Sequence, residues 1–305
     1  MSGHFKCSII NHLTARTQGR KVYTKVFFAN LSDSAVLREK MDFTIKTYRN
    51  LLQVLKNGKY ELQPFAEFIE NPAEKAIILR HDVDERPKNA LKMAQVEHEL
   101  GIRATYYFRI VKISNKPEII RKIIDLDHEI GYHYEDYSAC NGNIEKAIAQ
   151  FKENLAYFRS YYHVVTVCMH GSSMSEHDNR HIWEHVELSE FGLIGEPYLS
   201  VDYNKVFYMT DTGRRWDGSK YNVRDTVQNK HKLSFHRTGE IISAIRNGKF
   251  PAQVLLQSHT LWTNNLIEWY WLEFREWLRN SFKVIALRVP GMKKLLYRLI
   301  KIYSK

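Results

Sequence analysis

Cysteine is scarce in this chain: Cys7, Cys140 and Cys168 are the only three in 305 residues. They lie far apart and make no CxxC pair, which excludes a disulfide framework and a zinc-knuckle spacing. So few thiols suit a reducing compartment, and a cytoplasmic protein is the expectation. No hydrophobic run approaches the roughly 20 residues of a membrane-spanning helix. The N-terminus lacks the apolar stretch of a secretory signal. There is no GxGxxG, no Walker A sequence and no GxSxG elbow, so dinucleotide binding, P-loop chemistry and serine hydrolysis are not indicated. No internal repeat is evident.

Acidic residues are missing from the ends. From Trp277 to Lys305 there are eight Lys or Arg and no acid, and the first forty residues hold seven basic residues against Asp33 and Glu39. With a net charge of +11, this leaves residues 41–276 slightly acidic, at a formal −2. The basic character belongs to the ends rather than to a folded face, so no nucleic-acid groove is expected. Three regions follow: a basic N-terminal extension (1–40), a catalytic-sized body (41–282) and a basic amphipathic tail (283–305). In the tail Leu295, Leu296, Leu299, Ile300 and Tyr303 share one stripe and Lys294, Arg298, Lys301 and Lys305 another. That pattern suits either peripheral contact with an anionic membrane or a terminal helix packed on the body.

The body alternates between two periodicities. Strands are expected at 76–79, 104–111, 129–134, 164–169, 205–209, 232–235 and 252–257. Helices are expected at 43–55, 87–100, 116–126, 143–161, 239–247 and 261–279. Alternation of this kind predicts an α/β fold with parallel strands and crossover helices. The number of units, with no phosphate fingerprint, favours a barrel over an open nucleotide-binding sheet.

Polar clusters recur just after the expected strands: His81-Asp82-Val83-Asp84, His133-Tyr134-Glu135, His170-Gly171, Asp211 and His259. In a barrel of parallel strands all of these open onto the C-terminal face, where active sites lie. Asp82 and Asp84 are next-but-one neighbours, so both carboxylates can face one site; a solvated acidic turn is the ordinary alternative. Singly, each histidine is as well read as a surface or core residue. Together, one carboxylate and two imidazoles form a recurrent site for catalytic zinc or a related divalent ion. His128-Glu129 with His133 has the wrong spacing for HExxH. His177, His181 and His185, at i, i+4 spacing, read as a polar helix face.

The stretch Ile78-Leu79-Arg80-His81-Asp82-Val83-Asp84, the segment from Glu99 to Phe108, and His128-Glu129-Ile130-Gly131-Tyr132-His133 together resemble the first two blocks of the polysaccharide deacetylase (NodB-homology, carbohydrate esterase family 4-like) superfamily. The likeness extends loosely to Trp262 and is nearest to the branch found with surface-polysaccharide biosynthesis. It implies an irregular (β/α) barrel of about seven parallel strands. It also implies a metal-dependent amide hydrolase acting on an N-acetylated sugar or glycan precursor, with zinc the expected ion. On that resemblance Asp82 is the base, Asp84 the metal carboxylate, His133 a metal ligand and His259 the general acid. The second histidine of the family's HxxxH block is Tyr137 here, so His170 stands in as third ligand, with Glu135 next in line. The rival readings are a sugar-binding relative without catalysis and a barrel amidohydrolase acting on a small amide. The sugar, the acyl group and the oligomeric state are not legible.

Overall fold

The computed structural model describes residues 41–171, 175–216, 227, 231 and 233–288, with side chains as far as 281. The N-terminal extension and the amphipathic stripe of the tail lie outside the described residues.

Helix α1 (Ile45–Asn57) starts where Thr44 accepts a hydrogen bond from the Thr47 amide, and it buries Tyr48, Leu51, Leu52 and Leu55 along one face. Strand β1 (Glu61–Gln63) and the one-and-a-half-turn helix α2 (Phe65–Glu70) follow. The chain then alternates: β2 (Ala76–Val83), α3 (Pro87–Glu99), β3 (Thr105–Phe108), α4 (Pro117–Ile124), β4 (Glu129–Tyr134), a single helical turn at Asp136–Ala139, α5 (Ile144–Arg159) and β5 (Val167–Met169). Pro87 and Pro117 each open a helix, where a missing N–H costs nothing. Irregular chain with short helical turns leads to β6 (Phe207–Thr210), α6 (Thr238–Arg246), β7 (Gln253–His259) and the long α7 (Leu266–Arg288).

All strand pairs are parallel, in the order β5-β4-β3-β2-β7-β6, and the sheet curls into a half-barrel. Strand β7 runs beside β2 from Ala76 to Asp82. The other edge of β2 is divided: β1 takes Ala76–Ile78 and β3 takes Arg80–Val83. Strand β2 therefore lies at the centre, and all eight of its residues are buried, as expected for a parallel strand covered on both faces.

Register decides which side chains meet. Arg80 pairs with Thr105 and Gln257, and Asp82 with Tyr107 and His259. Tyr107 pairs with Gly131, and His133 with Cys168. Because side chains alternate with period two, these residues share the interior face with Ile78, Glu129, Tyr208 and Leu255. The opposite face carries Ile77, Leu79, Tyr106, Ile130, Tyr132, Val254 and Leu256 into the core beneath the helices. At the foot of the interior, Phe65 and Phe68 of α2 pack against Ile78, Tyr107 and Leu255. The Glu129 carboxylate there accepts the Ala66 amide at 3.0 Å and the Thr105 hydroxyl at 2.6 Å.

Several expected boundaries move, each for a visible reason. Strand β2 continues through Val83 rather than stopping at 79, so His81 and Asp82 lie within it. His81 points outward, where its Nε2 meets Glu97 at 2.7 Å, and the Tyr106 hydroxyl donates to the same carboxylate at 2.7 Å. The strand expected at 232–235 is not one over 233–235: Phe235 packs on Phe207 and Phe250 from irregular chain. Helix α7 starts at Leu266 rather than 261, because Asn265 accepts the Glu268 amide and Trp262 is drawn into the core. It then continues unbroken to Arg288. The strand β1 is too short to show a period.

Gly131 is the tightest point of the interior. A Cβ there would lie 2.3 Å from the Tyr107 ring and 2.9 Å from the Thr166 carbonyl oxygen. Gly131→Ala is accordingly expected to lower stability by about 1–3 kcal/mol, measured as a shift of the urea midpoint at unchanged m-value.

Candidate active site

The polar ends of β2, β4, β5 and β7 meet at the C-terminal mouth of the half-barrel. Asp84 follows β2, His133 is the penultimate residue of β4, and His170 follows β5. Their facing atoms form a small triangle. His170 Nδ1 lies 3.1 Å from Asp84 Oδ1, His133 Nε2 lies 3.4 Å from the same oxygen, and the two nitrogens are 3.4 Å apart.

This donor set fits a divalent ion. Ligands about 2.0–2.1 Å from a tetrahedral centre stand about 3.3–3.4 Å from each other, and the triangle has edges of that size. The second nitrogen of His133, Nδ1, lies 2.9 Å from the Cys168 carbonyl oxygen. It donates there, so in the neutral imidazole Nε2 carries the lone pair and faces the triangle. Asp84 Oδ1 is buried and takes part in no hydrogen bond of good geometry. Burial opposes the charge on Asp84, but His170 and His133 beside it hold its carboxyl well below the usual range. A second group of potential ligands, Asp82, His133 and Cys168, lies deeper. It competes poorly, since both Asp82 oxygens are already engaged.

Asp82 is clamped. Arg80 Nε donates to Oδ1 at 3.0 Å and Arg80 Nη2 to Oδ2 at 2.8 Å, while Gln257 Nε2 donates to Oδ2 at 2.5 Å. His133 Nε2 is 3.7 Å from Oδ2. Burial raises the pKa of Asp82, but the Arg80 guanidinium and then His133 outweigh it, and the carboxyl sits below its ordinary value. Arg80 is itself fully buried, with its guanidinium over the rings of Tyr198 and Tyr107 at 5.2 and 5.7 Å.

His259 ends β7 on the same face, one strand from Asp82. Its Nδ1 and its backbone amide both donate to Asp211 Oδ1, each at 2.8 Å. Asp211 Oδ2 accepts from the Ser258 hydroxyl at 2.8 Å and from Trp262 Nε1 at 3.0 Å. Burial lowers the pKa of His259, but the Asp211 carboxylate and the more distant Asp84 and Asp82 reverse this and push it up to about 10. The site thus sets an ionised acid and a protonated imidazole beside the donor triangle, a separation of roles that suits base and acid chemistry at neutral pH.

The other candidates are placed elsewhere. Glu135 is held by Arg109 through three hydrogen bonds of 2.7–3.0 Å, and it approaches His170 Nε2 only to 4.0 Å. Tyr137 packs against the rings of His177 and His181 at 5.5 and 5.2 Å and offers nothing to the triangle. His128 faces outward, against the Ala94 carbonyl oxygen. Residues 177–185 contain a 3₁₀ helix (Asn179–Glu184), not the α-helix that i, i+4 spacing suggested.

Three partners carried little sequence signal. Arg80 and Gln257 hold Asp82, and period-two counting back from Asp82 and His259 puts both on the interior face. Asp211 stands at an expected strand end, but its grip on His259 depends on the irregular chain after β6.

That grip has a measurable signature in metal-free protein. A histidine whose pKa is raised by folding from 6.5 to about 10 contributes stability that is fully present below pH 6.5 and lost as pH rises through 10. Asp211→Asn is expected to be markedly less stable than wild type at pH 6.5, with the gap narrowing toward pH 10, as read from urea titrations at each pH. The His259 titration, followed by NMR, should move down toward neutrality in the same variant.

No protein-family model matches the chain, and no curated protein sequence does. Among solved structures, a family 4 carbohydrate esterase from Streptomyces lividans in complex with acetate is similar at 12% identity and a TM-score of 0.35, over 69% of this chain and 88% of that one. A family 4 carbohydrate esterase from Bacillus anthracis is similar at 15% identity and a TM-score of 0.33, over 67% of this chain and 88% of that one. Both solved structures come from the esterase family whose motifs the sequence resembles.

Proposed function

We propose that this chain is a metal-dependent amide hydrolase that removes the acetyl group from an N-acetylated sugar or glycan precursor. The observation that carries the reading is the donor triangle of Asp84, His133 and His170 lying beside an ionised Asp82, with a protonated His259 paired to Asp82 on the next strand. The motif resemblance around Asp82, Asp84 and His133 supports the acetyl-sugar substrate.

Asp84, His133 and His170 would hold the ion, with zinc favoured by a two-imidazole, one-carboxylate set. A divalent ion in that position supplies Lewis acidity, making water more acidic and an acyl carbonyl more electrophilic. Asp82, kept ionised by Arg80, takes the proton of the attacking water. Arg80 and Gln257 fix the carboxylate while it does so. His259, charged and oriented by Asp211, gives its proton to the departing amine, which otherwise leaves as a very poor anion.

One feature favours a second reading, a sugar-binding relative without turnover: Tyr137 occupies the position of the family's second histidine and lies against other rings instead of the triangle. Metal content separates the two. Purified protein should hold close to one zinc or similar ion per chain by elemental mass spectrometry, and Asp84→Ala and His133→Ala should each lose it while remaining folded. A protein that takes up no ion even from divalent-metal buffers would refute the hydrolase reading.

Kinetics separate the two proton-transfer roles. On an N-acetylated oligosaccharide, Asp82→Asn and His259→Ala should each lower kcat by about 10²–10⁴. On an aryl acetate, whose phenolate leaves without help, His259→Ala should lose much less and Asp82→Asn should lose about as much as before. Equal losses for His259→Ala on both substrates would remove its role as acid.

A further inference from the structure

Helix α7 carries a row of large apolar side chains on its outer face. Ile267, Tyr270, Trp271, Phe274 and Trp277 are 41–84% exposed. Their spacing of three and four residues sets them along one side of the helix, a stripe of about 15 Å at 1.5 Å per residue. Phe274 lies between Trp271 and Trp277, tilted against the first and stacked on the second, with ring centroids 6.4 and 6.3 Å away, so the row is continuous. A contiguous exposed aromatic stripe is uncommon on a monomer and marks an interaction surface.

Charge identifies the partner. The acids of α7 are all paired: Glu268 with Arg86 and Glu273 with Arg214 of the body, and Glu276 with Arg275 and Arg279 of the helix itself. From Trp277 onward the chain has eight Lys or Arg and no acid. A second copy packed on the stripe would bring two such cationic segments together. The first forty residues, with seven basic residues and two acids, are an equally poor electrostatic match. Trp, Tyr and Phe beside clustered Lys and Arg is the composition of a helix lying at a bilayer interface, rings in the headgroup region and cations on anionic lipid. Among the described residues no helix is long and apolar enough to cross a membrane.

We propose that α7 docks the protein on the surface of an anionic bilayer through Ile267, Tyr270, Trp271, Phe274 and Trp277. The same helix is fastened to the mouth of the half-barrel. Arg275 Nη1 donates to Glu85 at 2.8 Å and Arg86 pairs with Glu268, and Glu85 is the residue after Asp84. Docking would therefore hold the candidate active site at the membrane surface. This inference stands on the helix and its charge, and it does not depend on the metal site being occupied or catalytic.

The test is sedimentation of the full-length protein with phosphatidylcholine vesicles, with and without about 30% phosphatidylglycerol. The expected result is binding to the anionic vesicles at least about tenfold tighter than to phosphatidylcholine alone, weakening as salt rises. The triple variant Trp271→Ser, Phe274→Ser, Trp277→Ser should keep the wild-type circular dichroism spectrum and lose at least about tenfold in vesicle affinity. No binding to anionic vesicles at low salt would overturn the proposal, as would equal binding by the triple variant. A wild-type dimer that the triple variant turns into a monomer, with no lipid binding by either, would overturn it in favour of a second copy of this chain.

Discussion

A strand that is buried on both faces and hydrogen-bonded along both edges has no water to turn to. Strand β2 is buried over all eight of its residues and paired on both sides along most of its length, yet three of them, Arg80, His81 and Asp82, are polar or charged. Each must be satisfied from within the protein, because an unpaired buried charge costs several kcal/mol (of the order of 3–5 when a partner is removed). Much of the polar architecture follows from that requirement. Inward, Arg80 and Asp82 neutralise each other and take up Gln257 from the neighbouring strand. Outward, His81 meets Glu97, to which Tyr48 and Tyr106 also donate.

The same constraint shapes the chemistry at the mouth. Asp82 and His259 sit side by side on paired strands, and burial alone would drive both toward neutrality. Separate partners prevent this: Arg80 keeps one anionic and Asp211 keeps the other cationic. The ionic states that the proposed reaction needs are thus set by two structural pairs lying behind the reacting groups.

The alternation of strand and helix came from hydrophobic periodicity, and the strand at Glu129–Tyr134 agrees to the residue. The five candidate site residues all lie at the mouth, because polar residues terminating buried strands of a parallel sheet share one end. Of the two candidates for the third position, His170 lies within 3.1 Å of Asp84, while Glu135 is taken up by Arg109, a pairing that the sequence does not reveal. Illegible were contacts that depend on irregular chain, such as Asp211 reaching His259, and the extension of β2 past Leu79. Polar residues suggested that the strand had ended, and only the identity of their buried partners shows why it had not. The strand expected at 232–235 fails in the opposite direction: Phe235 packs on Phe207 and Phe250 from irregular chain.

The bond from His133 Nδ1 to the Cys168 carbonyl oxygen crosses from β4 to β5, the last strand of the sheet and only three residues long. It makes the lone pair of one candidate ligand contingent on an edge strand remaining paired. Fraying of β5 would free Nδ1 to lose its proton and let the imidazole tautomerise or turn away. Binding of an ion through His133 would therefore be thermodynamically linked to edge-strand order: whatever favoured one would favour the other. A cation bound at the mouth would act as a clasp on the outermost strand, and its loss would be felt first as local melting at that edge rather than as global unfolding.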